Sequence, residues 1–339
     1  MIALLAALAA LAPPAAQDAQ APPAGTLLVL NKSADTLWFV DPTDGTRRAE
    51  VPTGRGPHEV AVSPDGKTAV VADYGEQQPG HTLTVVDLMA GRVLRTIDLT
   101  PHQRPHGVAW LPDGRHVAVT AETSSALLLV DVQEARVAAE LPTAQPVSHM
   151  VALSPDASRA YVANIGGGSL SVIDLAKRER LAVVPTGAGA EGLDVTPDGR
   201  WILVANREAD TLSFVDAGTL EEAAEMATGD FPIRVKVTPD GKRALVSCAM
   251  SGEVAVLDLA ERKEVARIAV GAAPSEDTEQ GPVPVGILIE PGGARAFVAA
   301  TNADMVLVLD LKALRVSARF ATGKQPDGLG WTPHVAPQP

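Results

Sequence analysis

Three histidines recur at one place in a repeated pattern, and two carboxylates share that place. Six residues upstream of the turn prolines Pro64, Pro112, Pro155, Pro197, Pro239, Pro291 and Pro333 stand His58, His106, His149, Glu191, Ile233, Val285 and Asp327. Imidazoles and carboxylates brought together can hold a single transition metal such as zinc, copper or iron. They can also polarise a carbonyl by general acid–base action, or ligate a haem-like ring. Each of these chemistries requires that positions running from residue 58 to residue 327 converge on one point.

The convergence follows from a period. An apolar pair runs into an aspartate at Asp41, Asp87, Asp131, Asp174, Asp216, Asp258 and Asp310, with spacings of 46, 44, 43, 42, 42 and 52 residues. Short strands and turn signals repeating at about 42 residues predict an all-β propeller of seven blades, each a four-stranded antiparallel sheet. In the clearest unit, Glu191 to Val195 is a first strand, and Thr196-Pro197-Asp198-Gly199 a turn whose proline presets φ and whose glycine accepts a positive one. Trp201 to Asn206 is the second strand, Thr211 to Asp216 the third, and the polar Glu221 to Thr228 the outermost. Continuous Val/Leu/Ala runs suit inner strands covered on both faces. The first unit opens at Leu27 to Asn31 with no first strand of its own, and the stretch from Asp327 to Pro333 overshoots by one. The C-terminal strand is therefore expected to close the ring, giving one domain over residues 25–334 with a tail at 335–339.

In such a ring the blade of Asp327 adjoins the blade of His58. Five consecutive blades then present Asp327, His58, His106, His149 and Glu191 to the axis, while Ile233 and Val285 complete the circle with apolar side chains. Arg207 and Arg234 lie on the same rim without repeated counterparts, which suits contacts to an anion. Asp73, Asn164 and Asn206 are further candidates on that rim, and Asn31, Asn164 and Asn206, which recur in register, read as turn caps. His81, His102, His116 and His334 are expected in solvent. The lengthened turn from Gly75 to His81 and an acidic insertion from Ala272 to Pro284 fall on the face that carries the ring, as ligand loops do in repeat proteins.

Tyr161-Val162-Ala163-Asn164, followed by Ser169 to Asp174, resembles the YVTN repeat of bacterial and archaeal surface or periplasmic propellers. Val204-Ala205-Asn206 and Val71-Ala72-Asp73 are weaker copies. The resemblance spans nearly the whole chain after residue 25 and implies the fold; the function it leaves open. A partial resemblance to seven-bladed lactonases runs from Gly56 to Lys67 and from Val71 to Gly75. It implies catalytic roles for His58 and for Glu122, which stands ten residues beyond Pro112. Where that family has an arginine this chain has His106, with Arg104 two residues earlier.

Composition narrows the classes further. A net charge of −13, with no basic stripe, argues against a nucleic-acid partner. Cys248 is the only cysteine, which excludes a disulfide framework, a paired-cysteine metal site and c-type haem attachment; it reads as a packed thiol. Met1 to Ala12 is an apolar run too short to span a bilayer, followed by small residues. It predicts a signal peptide over residues 1–16 with cleavage between 16 and 21, a linker at 17–24, and a periplasmic or secreted monomer without a membrane span. Five Phe, two Tyr and four Trp offer few platforms for a flat guest such as haem.

These features favour a binding or accessory role over catalysis, for a small molecule or a protein partner at the channel mouth. The candidate ligand contacts are His58, His106, His149, Glu191, Asp327, Arg207 and Arg234, and the candidate metal ligands are His58, His106 and His149. The alternatives are a lactonase-type hydrolase or lactonising enzyme using His58 and Glu122, and a metal- or haem-associated redox accessory protein.

Overall fold

In a computed structural model of the chain, the structure describes residues 24–271 and 281–335. The expected leader, most of the acidic insertion and most of the tail lie outside the described residues. The rest forms seven four-stranded antiparallel sheets, as the period predicts. Their innermost strands are Pro57–Val62, Pro105–Trp110, Ser148–Leu153, Ala190–Val195, Pro232–Val237, Pro284–Ile289 and Pro326–Thr332. The last of these pairs with Thr26–Asn31, so one blade joins both ends of the described chain and closes the ring. We number this closing blade one and count on from His58 in blade two to Val285 in blade seven.

The central strands of each blade are buried on both faces, and their side chains pack between blades. Val70, Leu83 and Val85 of blade two, for instance, share a cluster with Val117, Val119 and Leu128 of blade three. Outermost strands alternate instead, as in Lys263–Ala269, where every second residue is exposed. The repeated aspartates end each third strand and tie its turn: Asp87 Oδ1 accepts the amides of Met89 and Ala90, both at 2.9 Å. The Pro-Asp-Gly turns are held in the same way. Asp65 Oδ1 accepts from the Ser63 hydroxyl at 2.6 Å and the Lys67 amide at 3.1 Å, and Gly66 supplies the left-handed φ of 73°. A residue type that every blade needs for its own turns carries no functional information.

No helix among the described residues is long and apolar enough to cross a membrane.

Candidate functional site

What aims the ring residues inward is a β-bulge repeated in every blade. Pro57 pairs with Asp73 and Glu59 with Ala72, so His58 is the extra residue between them. The register slips at the same place around His106, His149, Glu191, Ile233, Val285 and Asp327. A bulge turns one side chain out of the pleat, and here it turns each towards the axis. Four of these residues are followed by glycine, for a steric reason. A Cβ on Gly107, Gly192, Gly286 or Gly328 would come within 2.1 to 2.9 Å of the backbone oxygen of the next blade's ring residue. The exceptions, Glu59, Met150 and Arg234, place a side chain where the other blades have none.

On one arc the imidazoles touch. The His106 and His149 rings lie 3.6 Å apart between centroids, the His58 and His106 rings 5.2 Å, and the Tyr74 ring 4.3 Å from that of His58. The Tyr74 hydroxyl donates to Glu122 Oε2 at 2.7 Å, and Glu122 Oε1 lies 2.6 Å from His149 Nδ1. On its other side, His149 Nε2 is 3.3 Å from Glu191 Oε1. Burial opposes a charge on His149, but the carboxylates on either side prevail and raise its pKa above the ordinary value. Burial and the neighbouring imidazoles drive the pKa of His106 well down, so His106 is neutral at pH 7. Its Nδ1 is buried with no hydrogen-bond partner, as is Asp327 Oδ1. Two polar atoms left unsatisfied at one place are costly for a fold without a ligand.

The recess has a charged floor. Arg234 of blade six reaches Glu59 of blade two, 2.8 Å away across the channel, and Glu191 at 3.1 Å. Glu191 also takes Arg207 at 2.8 Å. Burial would raise the pKa of Glu191, yet His149, Arg234 and Arg207 hold it at about 2. Against the Glu59–Arg234 pair, towards the Pro-Asp-Gly face, lies a cavity of about 290 Å³ lined by Glu59 and Arg234 together with Val60, Val62, Lys236 and Trp331.

The structure thus gathers His58, His106, His149, Glu191 and Asp327 on one arc and adds Glu122 to it. It does not set His58 and Glu122 face to face. Tyr74 stands between them, His58 Nδ1 binds the Gly56 oxygen at 2.8 Å, and both Glu122 oxygens are engaged. The donor atoms that come within 4.8 Å of one another belong to His106, Glu122 and His149, without His58. Arg207 and Arg234, read from sequence as anion contacts, are neutralised by the protein's own carboxylates. His102, expected in solvent, is buried, because its own loop before blade three lays it against that blade, with Nδ1 2.9 Å from the Ser124 hydroxyl and Nε2 3.8 Å from Glu140. Cys248 is a packed thiol with its pKa pushed up by burial to about 11.

Sequence reasoning passed over Glu59, Tyr74 and Lys32, whose ammonium lies 3.4 Å from Asp327. For Glu59 a signal existed: it occupies a position where four blades have glycine.

Asp73 belongs to the scaffold. It stands where Asn31, Asn164 and Asn206 stand in other blades, accepting from the Gly54 amide at 3.0 Å and the hydroxyls of Thr82 and Thr84 at 2.8 and 2.9 Å. Asn206 bridges the equivalent hydroxyls in the reverse sense, its Nδ2 donating to Thr211 and Ser213. Burial raises the pKa of Asp73 to about 7, against the three donors. An acid raised in the folded state contributes stability that is complete below its unfolded value of about 3.9 and is lost as pH rises through about 7. Asp73→Asn should therefore stabilise the protein at pH 8, by about 1–3 kcal/mol within a ceiling of about 4. The gain should fall to about a third of that size at pH 5 and vanish only below about pH 4. Urea denaturation at the two pH values checks both size and sign.

Comparisons with known proteins agree on the fold. Residues 156–279 match the model of the YNCE-like beta-propeller family. No curated protein matches the chain. Among solved structures, the chain is similar to Kuenenia stuttgartiensis hydrazine synthase, with a TM-score of 0.70 and 22% identity over 80% of this chain and 88% of that one. It is also similar to a functionally unknown protein from Desulfotomaculum acetoxidans DSM 771, with a TM-score of 0.75 and 13% identity over 91% and 99%. At such identities the likeness establishes architecture alone.

Proposed function

We propose that this seven-bladed β-propeller, part of which matches the YNCE-like family model, is an exported binding module whose channel mouth takes a small ligand. One observation carries the reading. Three imidazoles, a tyrosine and three carboxylates gather at the channel mouth, where His106 Nδ1 and Asp327 Oδ1 are buried without partners, next to the Glu59–Arg234 pair. Scaffolding alone accounts for the repeated aspartates and asparagines, which hold turns. It does not account for His58, His106, His149 and Glu122, which are confined to adjacent blades and contact one another, or Tyr74, across blade boundaries. The acidic net charge and the apolar run at Met1 to Ala12 support an exported protein that does not engage nucleic acid.

The test is a thermal-shift screen of tag-free protein against divalent metal salts, small lactones and dicarboxylates, run in parallel on Tyr74→Phe and on Asp240→Asn from the opposite face. The expected result is that at least one class raises the wild-type melting temperature by several degrees, with the shift reduced in Tyr74→Phe and kept in Asp240→Asn. A shift abolished by Asp240→Asn, or none from any class, would overturn the assignment. A lactone that is consumed rather than held would replace binding with hydrolysis.

A further inference from the structure

We propose that the ligand of this recess is a divalent transition metal, zinc or iron(II) by donor type, held by His106 Nδ1, Glu122 Oε1 and His149 Nδ1. The inference rests on the mouth reading above and names its ligand class.

The donor set comes first. Two imidazoles and one carboxylate are a common three-ligand arrangement for zinc and for non-haem iron, with a coordination position left over. One donor atom from each of the three residues lies within 4.8 Å of the others. Metal bonds of about 2.0–2.2 Å place neighbouring ligand atoms about 3.4 Å apart on a tetrahedron. Side-chain rotations that move the atoms by about an ångström close the set. Two of the ligands stand at bulges of adjacent innermost strands, and Glu122 starts the short helical turn Glu122–Ser124 just after His116–Ala121, so three rigid elements supply one atom each.

The environment of each donor makes the stronger case. Metal-bound imidazoles and carboxylates pass their second polar atom to a fixed partner, which orients the first. Tyr74 holds Glu122 Oε2 at 2.7 Å, leaving Oε1 to turn inward. Glu191 stands 3.3 Å from His149 Nε2 and is itself fixed by Arg207 and Arg234, leaving His149 Nδ1 on the side of Glu122. His106 Nδ1 is the buried nitrogen without a partner. A purely structural His–Glu pair needs neither the unpartnered third nitrogen nor the second carboxylate behind the histidine. His58 is not a ligand in this scheme: its Nδ1 is bound to the Gly56 oxygen, and its Nε2 is 4.0 Å from Asp327 Oδ2. It flanks the open position through its contact with the His106 ring.

The experiment is titration of chelator-treated, tag-free protein with Zn²⁺ by calorimetry and with Co²⁺ by visible absorption. The variants are Glu122→Gln, His106→Ala, Tyr74→Phe and His116→Ala. Wild type should bind one equivalent with a sub-micromolar Kd and give the intense visible bands of low-coordinate Co²⁺. Glu122→Gln and His106→Ala should lose at least about 100-fold in affinity, and Tyr74→Phe about 10-fold through the freed carboxylate. His116→Ala, half-buried beside Asp113 on the opposite face, should bind as wild type does. Circular dichroism checks folding, and the near-isosteric Glu122→Gln keeps the test valid if His106→Ala does not fold. A wild type that binds neither ion, or a Glu122→Gln variant that binds both unchanged, overturns the assignment. If a lactone or dicarboxylate binds and no metal does, the metal assignment fails and the mouth reading stands; if nothing binds, both fail.

Discussion

Replacing Arg234 by methionine should cost about 3–5 kcal/mol of stability, among the largest losses any single side chain here can produce. The guanidinium is buried at the axis, paired with Glu59 and Glu191, and the two carboxylates hold its pKa above the usual arginine value in spite of burial. Its removal leaves Glu59 as an uncompensated buried charge, the situation that makes breaking an internal ion pair so expensive. Glu191 is less exposed to the loss because Arg207 and His149 still hold it. Two further variants separate charge from packing. Glu59→Gln should cost less than Arg234→Met, and the double variant should recover about 2 kcal/mol relative to Arg234→Met alone, since the orphaned charge is gone. Urea denaturation of the four proteins at one pH gives the cycle. Equal stability of Arg234→Met and wild type would mean that the pair is solvated and that the channel has no floor.

A methyl group at residue 286 should be nearly as damaging. The Cβ of Gly286→Ala would lie 2.1 Å from the backbone oxygen of Asp327. The obstacle is a carbonyl, not a flexible side-chain end, so blades seven and one must separate at the axis where the bulges meet. Forced overpacking of this kind costs about 1–3 kcal/mol and often more when backbone must move. The expected loss is about 3 kcal/mol. Gly114→Ala, which has nothing within 4 Å but a φ of 63°, should lose only about 1 kcal/mol for its left-handed backbone. Thermal melts of the pair separate crowding from backbone strain: similar losses would show that the axial contact is slack.

The blades were legible because each one solves its packing locally. A turn proline, a strand-ending aspartate and a continuous apolar run recur in every unit, and counting between them locates His58, His106, His149, Glu191 and Asp327 on one circle. The overshoot at Asp327–Pro333 matched the strand missing before Leu27 in the same way. Contacts between blades were not legible by counting. Glu122 and His149 meet because the end of one blade's second strand leans over the next blade's bulge, and no spacing within a blade encodes that. Glu59 and Arg234 stand 175 residues apart on nearly opposite blades, so their pairing exists only once the ring is closed. His102 looked solvent-exposed because its neighbours in sequence are polar; its burial depends on the loop's path over Ser124.

The blade that joins the ends of the described chain also sets a schedule for synthesis. Leu27, Leu28, Val29 and Leu30 emerge early, and all are fully buried in the finished protein. Their inner partner, Pro326–Thr332, is made about 300 residues later. At about 5–20 residues per second the wait is about 15–60 s, during which an apolar strand edge is open to association with other chains. Blades two to seven can form in order while the chain is being made, but the ring and the charged floor at its centre come into being only after the final strand is released. A cell that makes this protein must protect one sticky strand for most of the time it takes to make the rest.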